Sequence, residues 1–221
     1  MTHTSRPPYD LAIFDLDGTL ADTMAQFGSF VMRAAERFGL PPIDEARLEG
    51  FRDVDPKAIV EELRIPFWKV PRIARYMRAL AAEEPIALFE GAGELLRALP
   101  ARGVKVAIVT SNSEANLRRA LGGELFDAIE HRECGVSLWG KASRLRKVAR
   151  RSRVPLDRAI YVGDELRDAD AAASAGMDFG AVSWGYNRPE ALRAKNPRHL
   201  FADLDDLATK ISGAGLGASA A

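Results

Sequence analysis

Two carboxylates separated by a single residue follow a short apolar run near the start of the chain. The sequence there reads Asp15-Leu16-Asp17-Gly18-Thr19. Residues i and i+2 of a strand point to the same side, so Asp15 and Asp17 can both face a site at the strand end, where Gly18 permits a sharp turn. Carboxylates this close repel each other, so a cation or partial protonation must offset their charge. A polar Asp-Gly turn without chemistry is the alternative interpretation.

The elements that must position this pair alternate along the chain. Short apolar runs predict strands at Leu11–Phe14, Val104–Val109, Ala159–Val162 and Phe179–Val182, with a weaker candidate at Asp127–His131. Strands that alternate with helices of about 10–15 residues indicate βαβ units, so we predict an α/β fold whose mostly parallel sheet is covered on both faces. Such sheets bind ligands outside the carboxyl ends of their strands. The carboxylate pair is predicted to lie at that edge.

The alternation is interrupted between the first and second predicted strands. Residues 22–38 and 71–84 carry apolar side chains at helical spacing, and Asp55-Pro56 is typical of a helix start. We therefore predict that residues 22–87 form an all-helical insertion, which we call the cap. Because the cap leaves the sheet at the end of the first strand, it must lie over the ligand-binding edge, as a lid does.

Composition limits the classes of function. The 221 residues include 31 basic and 31 acidic side chains, with 47% hydrophobic residues, as in an ordinary globular protein. Zero net charge lacks the basic excess of most nucleic-acid binders, so no nucleic-acid partner is predicted. No run approaches the roughly 20 apolar residues of a membrane span, and the first residues lack the apolar core of a signal peptide. The single Cys134 excludes an intrachain disulfide, and we predict a cytoplasmic protein without a membrane partner.

Four motifs, in order, resemble those of the haloacid-dehalogenase-like superfamily. They are DLDGT at 15–19, VTSNS at 109–113, GK at 140–141 and YVGDELRD at 161–168. The resemblance spans about residues 9–208 and is closest to the phosphoglycolate-phosphatase-like branch, which carries a helical cap. It implies a Rossmann-like, doubly wound, mostly parallel sheet core with an inserted all-helical cap domain.

The resemblance implies phosphoryl transfer that depends on Mg²⁺. Asp15 would be the nucleophile that forms an aspartyl-phosphate, and Asp17 would protonate the leaving alcohol and then deprotonate water. Mg²⁺, which prefers oxygen ligands, would offset the repulsion between a carboxylate and a phosphate dianion. The implied ligands are Asp15, the backbone carbonyl of Asp17, and Asp164, with Asp168 bound directly or through water.

The same resemblance implies a phosphate-binding group at the end of the second strand. The Thr110 hydroxyl and the N–H groups of Ser111 and Asn112, at a helix start, would donate to phosphoryl oxygens, and Lys141 would add a compact positive charge. Each residue has a structural alternative. Ser111 or Ser113 would otherwise be a plain helix N-cap, and Lys141 a solvated surface lysine.

The acidic residues also have structural alternatives. Asp164 would otherwise be a turn carboxylate after a buried strand, and Asp168 an exposed first-turn carboxylate that the helix dipole favours. In the cap, Arg52 and Lys57 are weak candidates for contact with an anionic substrate.

We predict a phosphatase for a small phosphorylated metabolite, such as phosphoglycolate, that acts as a monomer or homodimer. The predicted core comprises residues 9–21 and 88–212, with the cap between them and flexible termini at 1–8 and 213–221.

Two other functions share these motifs. A phosphomutase would use the same core, although sugar-phosphate mutases place a histidine shortly after DxDGT and residues 20–30 contain none. A non-catalytic binding or regulatory module would keep the fold, although every matched motif position is intact.

Overall fold

The computed structural model describes residues 7–137 and 140–217. Its strands are β1 Leu11–Phe14, β2 Lys105–Val109, β3 His131–Glu133, β4 Ala159–Gly163, β5 Asp178–Val182 and β6 His199–Phe201. They form one six-stranded sheet in the order β3-β2-β1-β4-β5-β6, and each neighbouring pair is parallel. The predicted α/β fold is therefore confirmed, with β1 and β4 at the centre of the sheet.

The helices follow in chain order. In the cap they are α1 Met24–Phe38, α2 Glu45–Phe51, α3 Pro56–Glu62 and α4 Val70–Glu83. In the core they are α5 Ala92–Ala101, α6 Glu114–Ala128, α7 Lys141–Ser152, α8 Leu166–Ala175, α9 Pro189–Arg193 and α10 Leu204–Ser212. The cap contains helices and a single 3₁₀ turn, at Phe67–Lys69, so the predicted helical character of the insertion is confirmed. The predicted start of α3 is also confirmed, because the Asp55 side chain accepts from the N–H of Lys57.

The strict alternation of β1 divides the core into two apolar layers. Ala12 and Phe14 join a cluster with side chains of α5, α6 and α10 on one face of the sheet. Leu11 and Ile13 join a second cluster with side chains of α7, α8 and α9 on the other face. Because both faces of β1 are buried, the strand is fixed within a three-layer sandwich and its end is a rigid support for side chains.

The two chain segments that connect the cap to the core run side by side. Ala21 and Leu88 form an antiparallel bridge, and the N–H of Asp22 donates to the carbonyl oxygen of Ala87 at 2.9 Å. This pairing lies at the residues where the sequence predicts the boundaries of the cap. Both segments therefore leave the core at one place, beside the end of β1.

Two strands differ from the sequence-based prediction. β3 begins at His131 rather than running over Asp127–His131, because the helical turn before it buries Phe126 against the core and keeps that stretch in α6. β6 was not predicted, since its three residues are too short to show an alternating pattern. It is held at the sheet edge by Phe201, whose ring occupies the space that a side chain at Gly180 would need.

The ends of the described chain are attached to the core. The Arg158 guanidinium donates to the carbonyl oxygens of Pro7 and Pro8, and that of Arg102 donates to the carbonyl oxygen of Ala214 at 2.5 Å. The part of the predicted flexible tail that is described, residues 213–217, therefore packs against α5 and α10. Residues 1–6 and 218–221 lie outside the described residues. Among the described residues, no helix is both long and apolar enough to cross a membrane.

Candidate active site

The two acidic motifs meet because each begins where a central strand ends. Phe14 pairs with Val162, and the N–H of Asp15 donates to the carbonyl oxygen of Val162 at 2.9 Å, so Asp15 extends the ladder by one residue. The chain then turns at Gly18, whose φ is 71°. A side chain on Gly18 would collide with the carboxylate of Asp164. Glycine at this position therefore allows the two motifs to approach each other.

A buried lysine joins two of the predicted site carboxylates. Lys141 Nζ lies 2.6 Å from Asp15 Oδ2 and 2.6 Å from Asp168 Oδ1. The other oxygen of Asp15 accepts from the N–H of Leu16 at 2.8 Å. Burial opposes the positive charge, but the two carboxylates outweigh it and raise the pKa of Lys141 above its usual value. Lys141 is thus a buried cation at the site, which excludes the alternative of a solvated surface lysine.

Asp164 is held by neutral donors. Its Oδ1 accepts from the Thr19 hydroxyl at 2.8 Å, and its Oδ2 accepts from the N–H of Tyr186 at 2.8 Å. Burial, together with the negative charges of Glu165 and Asp168, raises the pKa of Asp164 well above its ordinary value. The carboxylate is oriented, but its charge is poorly compensated by these contacts.

The carboxylates of Asp15, Asp164 and Asp168 form a buried cluster whose ligand oxygens lie within 4.8 Å of one another. Lys141 contributes one positive charge against these three carboxylates. Clustered carboxylate oxygens are the donors that Mg²⁺ prefers, and a bound cation would compensate the excess negative charge. The residues present therefore fit a hard divalent cation.

Asp168 also has a structural role in α8. Its Oδ2 accepts from the N–H of Glu165 at 3.2 Å in a capping box, and its Oδ1 accepts from the Tyr161 hydroxyl at 3.3 Å. A side chain at Gly163 would collide with its carboxylate. Asp168 does lie in the first turn of α8, but it is fully buried, so the alternative of an exposed helix carboxylate is wrong. Lys141 connects its carboxylate to that of Asp15.

Asp17 lies apart from the three clustered carboxylates and faces α6. The amide nitrogen of Asn112 lies 3.2 Å from each carboxylate oxygen of Asp17. Burial and the adjacent charge of Asp15 raise the pKa of Asp17 to about 6. A carboxyl group with a pKa near neutrality can both donate and accept a proton at physiological pH.

The predicted phosphate-binding loop lies at the end of β2. Thr110 is fully buried, Ser111 is half-buried, and the N–H of Asn112 donates to the Thr110 hydroxyl oxygen at 3.0 Å. The helix N-cap is Ser113, whose hydroxyl accepts from the N–H of Asn116 at 3.1 Å. Capping is thus performed by Ser113, which leaves Ser111 free of that role.

Sequence reasoning missed several residues at the site. Thr19 and Tyr161 belong to the quoted motifs but had no assigned role, and each bonds a site carboxylate. Arg167 forms a half-buried ion pair with Glu165 beside the cluster, and no pattern in the sequence indicated it. Arg52, a weak candidate for substrate contact, instead donates to the carbonyl oxygen of Tyr186 at 2.9 Å.

The chain is similar to known proteins in sequence and in fold. The sequence model of the haloacid dehalogenase-like hydrolase family matches residues 12–182. The phosphoglycolate phosphatase of Synechococcus elongatus is 32% identical over 201 residues, which cover 88% of this chain and 93% of that protein. The tyrosine-protein kinase PtkA of Mycobacterium tuberculosis is 31% identical over 194 residues, which cover 81% of this chain and 64% of that protein.

A solved structure described as a predicted phosphatase from Clostridium acetobutylicum shares the fold. Its TM-score is 0.76 at 23% identity, and the match covers 92% of this chain and 98% of that one. The resemblance inferred from the four motifs, including the phosphoglycolate-phosphatase-like branch, is confirmed, as is the prediction of an enzyme. On the extent of the family match and the identity to its relatives, the chain belongs to the haloacid dehalogenase-like hydrolase family.

Proposed function

We propose that this enzyme is a Mg²⁺-dependent phosphatase that hydrolyses a small phosphorylated metabolite through an aspartyl-phosphate on Asp15. The observation that carries the proposal is the buried cluster in which Lys141 bridges Asp15 and Asp168, with Asp164 beside them. A carboxylate nucleophile and surrounding positive charge are what displacement at a phosphate dianion requires.

Asp15 is oriented for attack in this proposal. One carboxylate oxygen accepts from Lys141 Nζ and the other from the N–H of Leu16, so the carboxylate has a fixed orientation. As a bond forms between a carboxylate oxygen of Asp15 and phosphorus, the bond from phosphorus to the leaving alcohol oxygen breaks. Lys141, next to the nucleophile, stabilises the negative charge on the transferring group.

Asp17 moves the proton in both steps. Its carboxyl group gives a proton to the leaving alkoxide in the first step. In the second step Asp17 takes a proton from the water that attacks phosphorus, so the bond to Asp15 breaks and free phosphate forms. A pKa of about 6 suits a group that must act as acid and then as base.

The Mg²⁺ would be held by Asp15, Asp164 and the backbone carbonyl of Asp17. Asp168 would bind it directly or through water. Bound there, the ion would supply electrostatic neutralisation of the phosphate and of the attacking carboxylate. Thr110, Ser111 and Asn112 would bind the phosphoryl oxygens from the end of β2, where the hydroxyl and N–H groups of these residues are concentrated.

Phosphoglycolate is the substrate that we propose to test first, because the Synechococcus elongatus relative is named for it. The experiment measures phosphate release from phosphoglycolate and from p-nitrophenyl phosphate, with Mg²⁺ and with a chelator. Intact-protein mass after an acid quench during turnover detects a covalently bound phosphoryl group.

The matched variants are Asp15→Asn and Asp22→Asn. The first should lose turnover and the covalent phosphoryl group, while the second changes an exposed carboxylate seven residues later in the chain and should behave as wild type. Asp15→Asn with more than a tenth of wild-type kcat would refute the nucleophile. Hydrolysis that persists unchanged in the chelator would refute the metal dependence.

A further inference from the structure

We propose that Arg119, acting through Asn116 and Asn112, is a positioning residue that couples the end of the cap to the carboxyl group of Asp17. The inference rests on the proposed function, in which Asp17 transfers the proton. Two of the residues, Asn116 and Arg119, lie outside the motif residues assigned above.

The contacts from Arg119 through Asn116 and Asn112 to Asp17 begin at the cap. The Arg119 guanidinium donates to the carbonyl oxygen of Ala82 at 2.6 Å and to that of Ala81 at 3.2 Å. These carbonyls belong to the last turn of α4, where carbonyl groups have no partner within the helix and attract positive charge. A residue of the core helix α6 thereby caps the last helix of the cap, next to the segment that returns to the core.

From there the contacts run inward through two buried amides. Nη2 of Arg119 donates to Asn116 Oδ1 at 2.9 Å, and Asn116 Nδ2 donates to Asn112 Oδ1 at 2.7 Å. Asn112 Nδ2 then approaches both oxygens of Asp17 at 3.2 Å. Asn116 and Asn112 are 1% and 5% exposed, so water offers them few alternative partners.

The direction of each hydrogen bond from Arg119 to Asp17 is fixed. Arginine can only donate, so Asn116 must turn its oxygen to Arg119 and its NH₂ group to Asn112. Asn112 accepts that donation, and the N–H of Ser113 at 2.9 Å, on its oxygen. Its NH₂ group is therefore left facing Asp17. Rotation of either amide would break two bonds, so the orientation at Asp17 depends on the contacts further out.

The geometry gives this chain a catalytic consequence. The Asn112 amide contacts both oxygens of Asp17, and the Thr23 side chain also hydrogen-bonds this carboxyl group, so Asn112 helps to set where the group points. Asn116 and Arg119 are three residues apart and share one face of α6, and Asn112 lies just before the Ser113 N-cap of that helix. Because Arg119 ends on the cap, movement of the α4 terminus is transmitted to the group that must protonate the leaving alcohol.

The test compares Arg119→Gln with the neighbouring Arg118→Gln. Arg118 is an exposed arginine of the same helix that pairs with Asp127 at 2.9 Å and makes no contact with the chain described above. The readout is the dependence of kcat/KM on leaving-group pKa across substituted phenyl phosphates of similar size. Loss of proton donation penalises poor leaving groups, so the slope steepens even where binding is unchanged.

We expect Arg119→Gln to lower kcat/KM about tenfold for phenyl phosphate, part of the ~10²–10⁴-fold that general acid catalysis contributes, with less than a twofold loss for p-nitrophenyl phosphate. Arg119→Lys, which keeps a donor for the cap carbonyls, should have a slope between those of wild type and Arg119→Gln. Arg118→Gln should match wild type. A purely structural role would lower both substrates equally and leave the slope unchanged.

A second readout does not depend on turnover. Hydrogen–deuterium exchange of residues 80–88 should be faster in Arg119→Gln than in wild type or Arg118→Gln, because the end of α4 loses its cap. Unchanged exchange there would overturn the attachment. A wild-type enzyme that hydrolyses no phosphate ester would refute the proposed function itself. A steep slope in Asp17→Asn beside a wild-type slope in Arg119→Gln would overturn only this inference.

Discussion

The acidic edge of the core and the cap are held in place by different kinds of contact. At the edge, Asp15 continues the ladder of β1 and Asp164 follows β4, so the backbone hydrogen bonds of two fully buried strands fix both residues. The cap packs around a much smaller apolar cluster, whose buried members are Ala35, Ile43, Phe51 and Leu63. Backbone pairing supports the chemistry, and side-chain packing supports the cap.

Side-chain bonds attach the cap to the core beyond the two connecting segments. Asn187 is fully buried, and its Oδ1 accepts from the N–H of Leu166 at 2.8 Å while its Nδ2 donates to the carbonyl oxygen of Arg52 at 2.7 Å. The Arg52 side chain donates to the carbonyl oxygen of Tyr186 at 2.9 Å. With Arg119 at the end of α4, these attachments surround the acidic edge.

This difference separates two classes of variant. A change at the acidic edge should lower kcat for every phosphate ester, because it removes a group that the reaction itself needs. A change in the attachments should leave the nucleophile in place and alter the preference between substrates, because closing elements select and enclose the substrate. An edge variant that altered only substrate preference, or an attachment variant that lowered kcat for every ester, would contradict this distinction.

After the loss of turnover expected for Asp15→Asn, the largest effect is expected for Asp17→Asn, at the point where the two regions meet. The amide cannot transfer the proton, so kcat/KM, which reports formation of the covalent intermediate, should fall by about 10²–10⁴-fold for alkyl phosphates and less for esters with good leaving groups. Single-turnover formation of the covalent phosphoryl group measures the first step. Equal losses for good and poor leaving groups would show that Asp17 is not the general acid.

Asp164→Ala should act on the metal rather than on the proton. Loss of one carboxylate oxygen should raise the Mg²⁺ concentration at half-maximal activity by at least about tenfold, because a hard cation loses a ligand. Isothermal titration of Mg²⁺ checks the same change without turnover. Asp17→Asn is the control and should shift the Mg²⁺ midpoint less, since only its backbone carbonyl is proposed as a ligand. An unchanged midpoint in Asp164→Ala would place the metal elsewhere.

The acidic edge was predictable from sequence because its residues lie at fixed offsets from strand ends. DLDGT and GDELRD follow apolar runs that could only be buried central strands, and parallel strands bring their carboxyl ends to one edge. The proximity of Asp15, Asp164 and Asp168 follows from that topology. The sequence also predicted the turn at Gly18, whereas the bond from the Thr19 hydroxyl to Asp164 was not predicted.

The attachments could not be predicted in the same way. Asn187, Arg119 and Asn116 bond partners 135, 37 and 4 residues away, and the pattern of one sequence does not reveal which polar side chain meets which carbonyl. β6 and the start of β3 were missed for a related reason. Strands of three residues at a sheet edge depend on tertiary pairing rather than on their own periodicity.

Asn187→Ala sharpens the comparison, because it removes an attachment without touching the carboxylate cluster. The Asn187 amide is buried and hydrogen-bonds both the core and the cap, so its loss should lower the free energy of unfolding by about 1–3 kcal/mol. It should also lower kcat/KM for phosphoglycolate more than for p-nitrophenyl phosphate. Arg193→Gln is the neighbouring control, since its exposed ion pair with Glu190 lies within α9, does not reach the cap and is worth about 0–1 kcal/mol. Equal losses for both substrates would refute a role in substrate preference.

The smallest effect is expected for Glu133→Gln, which tests an attachment within the core. Glu133 ends β3 and contacts Arg144 at 2.9 Å, Lys147 at 2.6 Å and Arg151 at 3.5 Å, so it joins the sheet to α7, the helix that begins at Lys141. Burial alone would raise the pKa of Glu133, but the hydrogen bond and charge of Lys147, with the two arginines, lower it below its usual 4.5.

A lowered pKa in the folded state means that the unfolded chain binds the proton more readily. The stabilisation is therefore complete above the unfolded pKa near 4.5 and is lost as pH falls through the lower folded value. At pH 7 Glu133→Gln should cost about 1 kcal/mol in urea unfolding, and the difference from wild type should shrink steadily below about pH 4.5. Glu130→Gln changes a side chain that is 81% exposed and should alter stability little at either pH.

Because the attachment made by Glu133 lies within the core, Glu133→Gln should keep the wild-type ratio of phosphoglycolate to p-nitrophenyl phosphate activity, in contrast to Asn187→Ala. A difference between Glu133→Gln and wild type that persists unchanged to pH 3 would show that the stabilisation comes from packing rather than from charge.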